Sequence, residues 1–161
     1  DQVKEGLFSA IQFEVEGRRA LDLFAGSGQL GIEALSRGAK SAVFVDMRRD
    51  ACDIVRENLT KTRLLERAQI VRSDFQTYLK TCRQTFDLVF LDPPYAEKFL
   101  ENAMFLISEI DILSDSGIII CEHPVEKQLP ETFGRLRRER AYHYGRAAVA
   151  LYRKSVPESI V

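Results

Sequence analysis

The sequence predicts a doubly wound α/β fold: a mostly parallel sheet covered by helices and closed by a C-terminal antiparallel hairpin. Three observations carry this. Short apolar runs alternate with amphipathic helical stretches along most of the chain, the pattern of parallel strands joined by crossover helices. A glycine-rich turn, Gly26-Ser27-Gly28-Gln29-Leu30-Gly31, stands between the first apolar run and the helix after it. Beyond Pro130 the helical spacing stops, and two extended segments flank a turn containing Gly145.

The elements follow in order. Val3, Leu7, Phe8 and Ile11 recur at helical spacing, so residues 2–13 read as an amphipathic helix, with Gly17 ending the region. Residues 20–24 form a first strand. Leu30, Ala34 and Leu35 then line one helix face, and Gly38 stands where a helix C-terminus places glycine. Residues 41–45 make a second strand ending at Asp46, and Cys52, Val55 and Leu59 mark a helix over 50–62. A short strand at 69–71 and a short helix at 75–82 come next. Residues 86–91 are the most apolar strand, as burial on both faces requires. A helix at 99–110, a fifth strand at 117–121 and a hairpin of 135–143 with 147–152 complete the chain. Five β-α units and a hairpin make one Rossmann-like domain over residues 1–161, without repeat, linker or internal boundary.

Composition agrees and excludes several classes. The 161 residues are 45% hydrophobic and 29% charged, ordinary values for a globular domain with room for a core. Charge nearly cancels, 23 basic against 24 acidic residues, which excludes a uniformly basic nucleic-acid binder but not a local basic face. Cys52, Cys82 and Cys121 are widely spaced and read as core, and His123 and His143 join them in no ligand pattern. No disulfide framework or metal site is expected, and a reducing cytoplasm fits. No apolar run approaches a membrane span, and no signal peptide precedes the first helix. The chain opens at Asp1 rather than Met, so an upstream segment is expected to be missing.

The glycine loop matches G-x-G-x-x-G after a strand and before a helix, with Asp46 twenty residues beyond Gly26. Glycines admit a ligand close to the backbone, and an acid at the end of the second strand can accept from ribose hydroxyls. Taken alone, this describes a dinucleotide site, or a tight turn using glycine only for geometry. Asp22, four residues before the loop, shifts the reading, because a carboxylate disfavours pyrophosphate and suits a cationic ligand. S-adenosyl-L-methionine carries both an ammonium and a sulfonium. Asp22 can also cap loop amides, and both roles can hold together. Asp74 can accept from an adenine amine while Phe75 packs on the ring; a helix N-cap and a core side chain explain the two equally well.

Asp92-Pro93-Pro94-Tyr95, after the fourth strand, points to the reaction. An exocyclic base amine is a poor nucleophile, because its lone pair is delocalised into the ring. A carboxylate and a backbone carbonyl accepting its two N–H bonds favour a pyramidal nitrogen, and Tyr95 supplies a face on which the base can stack. A rigid turn after a buried strand is the bland alternative.

Asp92-Pro93-Pro94-Tyr95 is similar to the motif of amino-group methyltransferases. The stretches Leu21 to Gly28 and Gly31 to Ala39 resemble the bacterial RsmD family, guanine-N2 methyltransferases of 16S ribosomal RNA. Val3-Lys4-Glu5 with Leu7-Phe8, and Tyr144-Gly145 with Leu151-Tyr152-Arg153, extend the resemblance over nearly the whole chain. It implies a class I methyltransferase fold, S-adenosyl-L-methionine as cofactor, and ribosomal RNA or a small-subunit assembly particle as partner of a monomeric enzyme. Asp92, Pro93, Pro94 and Tyr95 become the candidate catalytic residues. Asp22, Phe24, Gly26, Ser27, Gly28, Asp46, Met47, Asp74 and Phe75 become the candidate cofactor residues, with no metal. Three departures stand out. The family's basic N-terminal segment is absent, Gln2 replaces a common Arg, and Asp46-Met47-Arg48 replaces a Glu-x-Asp or Glu-x-Asn pattern.

From Gly134 to Lys154, Arg135, Arg137, Arg138, Arg140, Arg146, Arg153 and Lys154 stand against one acid, Glu139, a local +6. Phosphate contact and a solvated hairpin face explain this equally. Arg48, Arg49 and Arg56 read as helix surface, and His123 as structural. Three other functions compete. A DNA adenine-N6 or cytosine-N4 methyltransferase needs a target-recognition region for which 161 residues leave no room. A nicotinamide-dependent oxidoreductase leaves Asp92-Pro93-Pro94-Tyr95 unexplained, and a non-catalytic RNA-binding module gives no use to the cofactor residues.

Overall fold

A computed structural model describes residues 1–94 and 98–155. Eight strands form one sheet: β1 Arg19–Asp22, β2 Ser41–Asp46, β3 Ala68–Arg72, β4 Phe86–Leu91, β5 Leu113–Pro124, β6 Thr132–Phe133, β7 Leu136–Tyr144 and β8 Ala147–Lys154. Their order is β3-β2-β1-β4-β5-β8-β7-β6. The first five are parallel and the last three antiparallel. Five helices cover it: α1 Gln2–Ala10, α2 Gln29–Ser36, α3 Arg49–Lys61, α4 Phe75–Thr81 and α5 Phe99–Glu109.

Strand alternation divides the core into two layers. Leu21, Val43, Val89 and Ile119 face Leu79 of α4 and Met104 of α5, whereas Ala20, Phe44, Phe90 and Ile120 face Phe8, Leu35 and Val55 of α1, α2 and α3. The sheet is thus buried on both faces, as its nearly unbroken apolar strands require. Among the described residues no helix is long and apolar enough to cross a membrane.

Several boundaries differ from the sequence expectation, each for a tertiary reason. The first helix stops at Ala10, not residue 13. Ile11 and Val15 remain buried because the chain turns back on them, with Glu14 N–H donating to the Ile11 carbonyl at 2.8 Å and Arg18 N–H to Val15 at 3.1 Å. The first strand ends at Asp22, since Ala25 N–H is drawn across to the Val45 carbonyl at 2.9 Å. The fifth strand runs over twelve residues rather than five, held by β4 on one side and by β8 as far as Pro124 on the other. Of the three cysteines only Cys121 is core, where burial pushes its thiol pKa up; Cys52 and Cys82 are half-buried.

Candidate active site

The site grows from the strand order. β1 has β2 on one side and β4 on the other, so the connections after β1 and β4 leave the sheet side by side and in opposite directions. Open α/β sheets bind ligands at such a switch point, outside the carboxyl ends of the strands. Asp22 pairs with Phe90, which brings the glycine loop after β1 against Asp92, Pro93 and Pro94 after β4.

The loop's three glycines do different things. Gly26 (φ 57°) and Gly28 (φ 83°) take left-handed conformations that other residues rarely adopt. Gly26 lines the cleft, whereas Gly28 caps α2 and packs near Ile32 and Val55. Gly31 serves packing, because a Cβ there would lie 2.3 Å from the Phe44 ring. Asn58 Nδ2 donates to the Ser27 carbonyl at 2.9 Å and anchors the loop to α3.

A cleft of about 720 Å³ opens along this edge, within the roughly 300–1,000 Å³ usual for cofactor sites. Phe24, Gly26, Asp46, Met47, Asp74, Phe75, Asp92, Pro93 and Pro94 line it, with Arg48, Ser73 and Phe99. Asp46 accepts at 3.0 Å from Gly26 N–H through one oxygen and from Arg48 N–H through the other, tying the loop to the end of β2. A carboxylate has about four acceptor positions, so these bonds leave room for ribose hydroxyls. Asp74 caps α4, accepting from Thr77 N–H at 2.9 Å and Thr77 Oγ1–H at 2.8 Å, and these bonds hold its carboxyl below the ordinary range. Phe75 is core and cleft wall at once: its ring lies 5.2 Å from Phe24 and 5.3 Å from Phe99. Met47 is 61% exposed and supplies a free apolar face.

A second cavity of about 320 Å³ adjoins the first through Phe24, Gly26 and Asp92. Asp22, Ser27, Gln29 and Glu122 line it, and Asp1, Val3, Lys4 and Leu7 bring the start of α1 to it. Asp22 is 2% exposed, accepts from Gly31 N–H at 3.0 Å and forms no ion pair among the described residues. Burial, with Asp92 and Asp46 adding repulsion, pushes its pKa up to about 7 against the pull of Gly31. A buried acid without a counter-charge fits a cationic ligand. Among the described residues these acids are not arranged to hold a metal ion.

Sequence reasoning missed several contributors. Phe99 and Arg48 reach the cleft, and Lys4 comes from α1. Glu122, on β5, stands beside Asp92 because Leu91 pairs with Cys121. One signal was available for Glu122, which directly follows the apolar run of its strand, as Asp92 follows Leu91. His123 is buried, its Nδ1 lies 2.9 Å from the Pro124 carbonyl, and burial lowers its pKa, in keeping with a structural part. Tyr95 lies outside the described residues.

The basic hairpin differs from the even-handed expectation. Tyr144 and Pro124 both pair with Ala147, so its turn, with Arg146, stands at the carboxyl edge. Lys154 pairs with Leu136, and Arg153 with Arg137 and Ile118, at the opposite edge. Much of the charge is also neutralised. Arg153 pairs with Glu14 at 2.7 Å and with Glu139, Lys154 with Asp111 at 3.2 Å, Arg137 with Glu131 and Arg140 with Glu139, both at 3.5 Å.

Comparison with known proteins follows this geometry. The family model described as Conserved hypothetical protein 95 matches residues 1–153. The Bacillus subtilis protein named "Putative rRNA methyltransferase YlbH" is 45% identical over 96% of this chain and 85% of its own length. Ribosomal RNA small subunit methyltransferase D of Escherichia coli K12 is 33% identical over 96% of this chain and 77% of its own. The solved Escherichia coli structure named "Putative methyltransferase yhhF" superposes with a TM-score of 0.89 at 32% identity, covering 97% of this chain and 88% of the other.

Proposed function

Because the chain belongs to the Conserved hypothetical protein 95 (RsmD) family, we propose that it transfers a methyl group from S-adenosyl-L-methionine to the exocyclic N2 amine of a guanine in 16S ribosomal RNA. The observation that carries this reading is the pairing of β1 with β4, which puts Asp22, a buried carboxylate without a counter-charge among the described residues, and the Asp92-Pro93-Pro94 segment on two adjoining cavities that share Phe24, Gly26 and Asp92.

The cofactor supplies a methyl carbon on a cationic sulfur, and the N–C bond forms as the C–S bond breaks with its electron pair returning to sulfur. This chain's residues do the rest by position and charge. Asp46 takes the ribose, Phe24, Met47 and Phe75 wall the adenine, and Asp74 accepts from its amine. Asp22 balances positive charge beyond Gly26 and Ser27. Asp92 and the Pro93 carbonyl accept the two N–H bonds of the guanine amine, which favours a pyramidal nitrogen with its lone pair free. Tyr95, assigned from the motif alone, stacks on a base drawn out of its helix. The enzyme works in this reading as a cytoplasmic monomer.

The test is transfer of labelled methyl from the cofactor to small subunits, naked ribosomal RNA and DNA, followed by nucleoside analysis. N2-methylguanosine in small-subunit RNA is the expected product. Methylated adenine or cytosine in DNA would replace this reading with a DNA methyltransferase, and calorimetric binding of NAD in place of S-adenosyl-L-methionine would replace it with an oxidoreductase.

A further inference from the structure

We propose that Glu122, in its protonated form, is the positioning residue for Asp92: its O–H donates to one Asp92 oxygen and leaves the other facing the amine that receives the methyl group. The inference rests on the methyl-transfer reading and adds a residue to it.

The geometry begins with strand register. β4 and β5 are parallel neighbours with Leu91 opposite Cys121, so the next residues, Asp92 and Glu122, reach the carboxyl edge side by side. Both carboxyl groups line the smaller cavity, close enough for each to shift the pKa of the other. Two ionised carboxylates side by side in a half-buried site repel and offer only acceptors, so the pair is stable when it shares one proton. The two residues are also ordered in space. Both line the smaller cavity, but only Asp92 reaches the cofactor cleft as well, so Glu122 stands behind it.

No structural duty accounts for Glu122. It is half-buried in a strand paired on both sides, between buried Cys121 and buried His123, and it forms no ion pair among the described residues. Lys4, in the same cavity, is engaged by Glu33 at 3.4 Å. The other charged groups around this cavity are Asp22 from β1 and Asp1 at the start of α1, β8 places Val149 opposite Glu122, and a further small cavity brings Glu122 near His123 and near Lys127, which is held by Glu101 at 2.6 Å. Burial raises both pKa values, and the neighbouring Asp92 charge raises Glu122 further. The proton therefore belongs on Glu122 and the charge on Asp92.

The balance of the step follows. The nitrogen gains the methyl carbon and gives one proton to the free oxygen of Asp92. The pair then holds two protons and no charge, and one proton returns to water as product leaves. Burial makes Asp92 a better proton acceptor than a surface carboxylate.

The experiment compares Glu122→Ala and Glu122→Gln with the wild type in single-turnover transfer to small-subunit RNA, with cofactor affinity measured separately. Glu122→Ala should slow transfer by about tenfold or more with cofactor affinity within about twofold, because Asp92 loses its orientation. Glu122→Gln keeps a permanent donor and should recover most of that loss. The pH profiles add a readout that a merely structural role would not move: the wild-type rate should fall as Glu122 ionises across neutrality, and the Gln variant should lack that fall. Carboxyl NMR on cofactor-free protein should show Asp22 and Glu122 both titrating near neutrality in the wild type, and only Asp22 doing so in the Gln variant. Full activity in the Ala variant, a folded Gln variant as slow as Ala, or unchanged pH profiles would each overturn the proposal. A wild-type protein that methylates no RNA overturns the functional reading itself, a result distinct from active wild type with indifferent variants.

Discussion

The switch point between β1 and β4 and the C-terminal hairpin are both rich in charge, and they treat it in opposite ways. At the switch point Asp22, Asp92 and Glu122 are buried or half-buried without cationic partners among the described residues, and burial raises their pKa values. In the hairpin Arg137, Arg140, Arg153 and Lys154 pair with acids from four different segments. Exposed pairs of this kind contribute little to stability, typically about 0–1 kcal/mol, but they do cancel charge. Counting charges along a chain therefore says less about a binding surface than asking which charges the fold leaves without partners.

The largest effect that would break this contrast comes from Asp92. On the proposed reading, Asp92→Ala removes an acceptor that matters most as the amine pyramidalises, and should cost about a hundredfold or more in turnover, about 3 kcal/mol, with little change in cofactor affinity. Single-turnover transfer on the ribosomal substrate measures it, and near-wild-type rates would strip the switch point of its catalytic role.

Next in size is Asp46→Ala, which on the proposed reading loses charge-assisted bonds to the ribose and also frees the Gly26 and Arg48 amides. Cofactor binding should weaken by about 1–3 kcal/mol in calorimetry. Unchanged affinity would remove Asp46 from the cofactor site.

A subtler effect concerns pH. Asp22 has a folded pKa of about 7 against an ordinary 3.8, so the native state binds the extra proton between these values. Stability of the cofactor-free protein should therefore fall as pH rises from about 4 to about 7, through the contribution of this group. Cofactor affinity should move the other way, rising as Asp22 ionises. Asp22→Asn keeps an acceptor for Gly31 and should flatten both trends; thermal melts and calorimetry across this range would reveal a failure to do so.

The smallest effect is expected from the hairpin. Charge reversal at Arg137 and Arg138 should leave the salt dependence of RNA affinity nearly unchanged, since Arg137 pairs with Glu131 and Arg138 donates to the Leu129 carbonyl at 3.2 Å. Reversal at Arg146, exposed at the carboxyl edge, should matter more. A slope reduced by about 2 on reversing Arg137 and Arg138 would make the hairpin a phosphate-docking face after all.

Local chemistry made much of this molecule legible in the chain itself. Periodicity marked the first three α-helices and the long strands, because side-chain alternation and helical spacing are properties of a dozen neighbouring residues. Gly26 and Gly28 announced a turn that only glycine makes easily, and Asp92-Pro93-Pro94 announced a stiff segment after a buried strand. Asp46 was read from its distance to Gly26, and Asp74 from its place after the third strand. The two-residue strand at Thr132–Phe133 was not, being too short to carry a period.

What the tertiary structure alone decided is which distant residues meet. Glu122 stands beside Asp92 through the register of β4 on β5, Phe99 joins Phe24 and Phe75 through the packing of α5, and Lys4 reaches the site because α1 starts at the sheet's carboxyl edge. Whether Arg153 is free or paired depends on Glu14, well over a hundred residues away. Spacing along the chain carries no trace of such pairings, because register and burial arise from the whole sheet at once. Desolvation, which raises the pKa of Asp22, exists only after the core has closed around it.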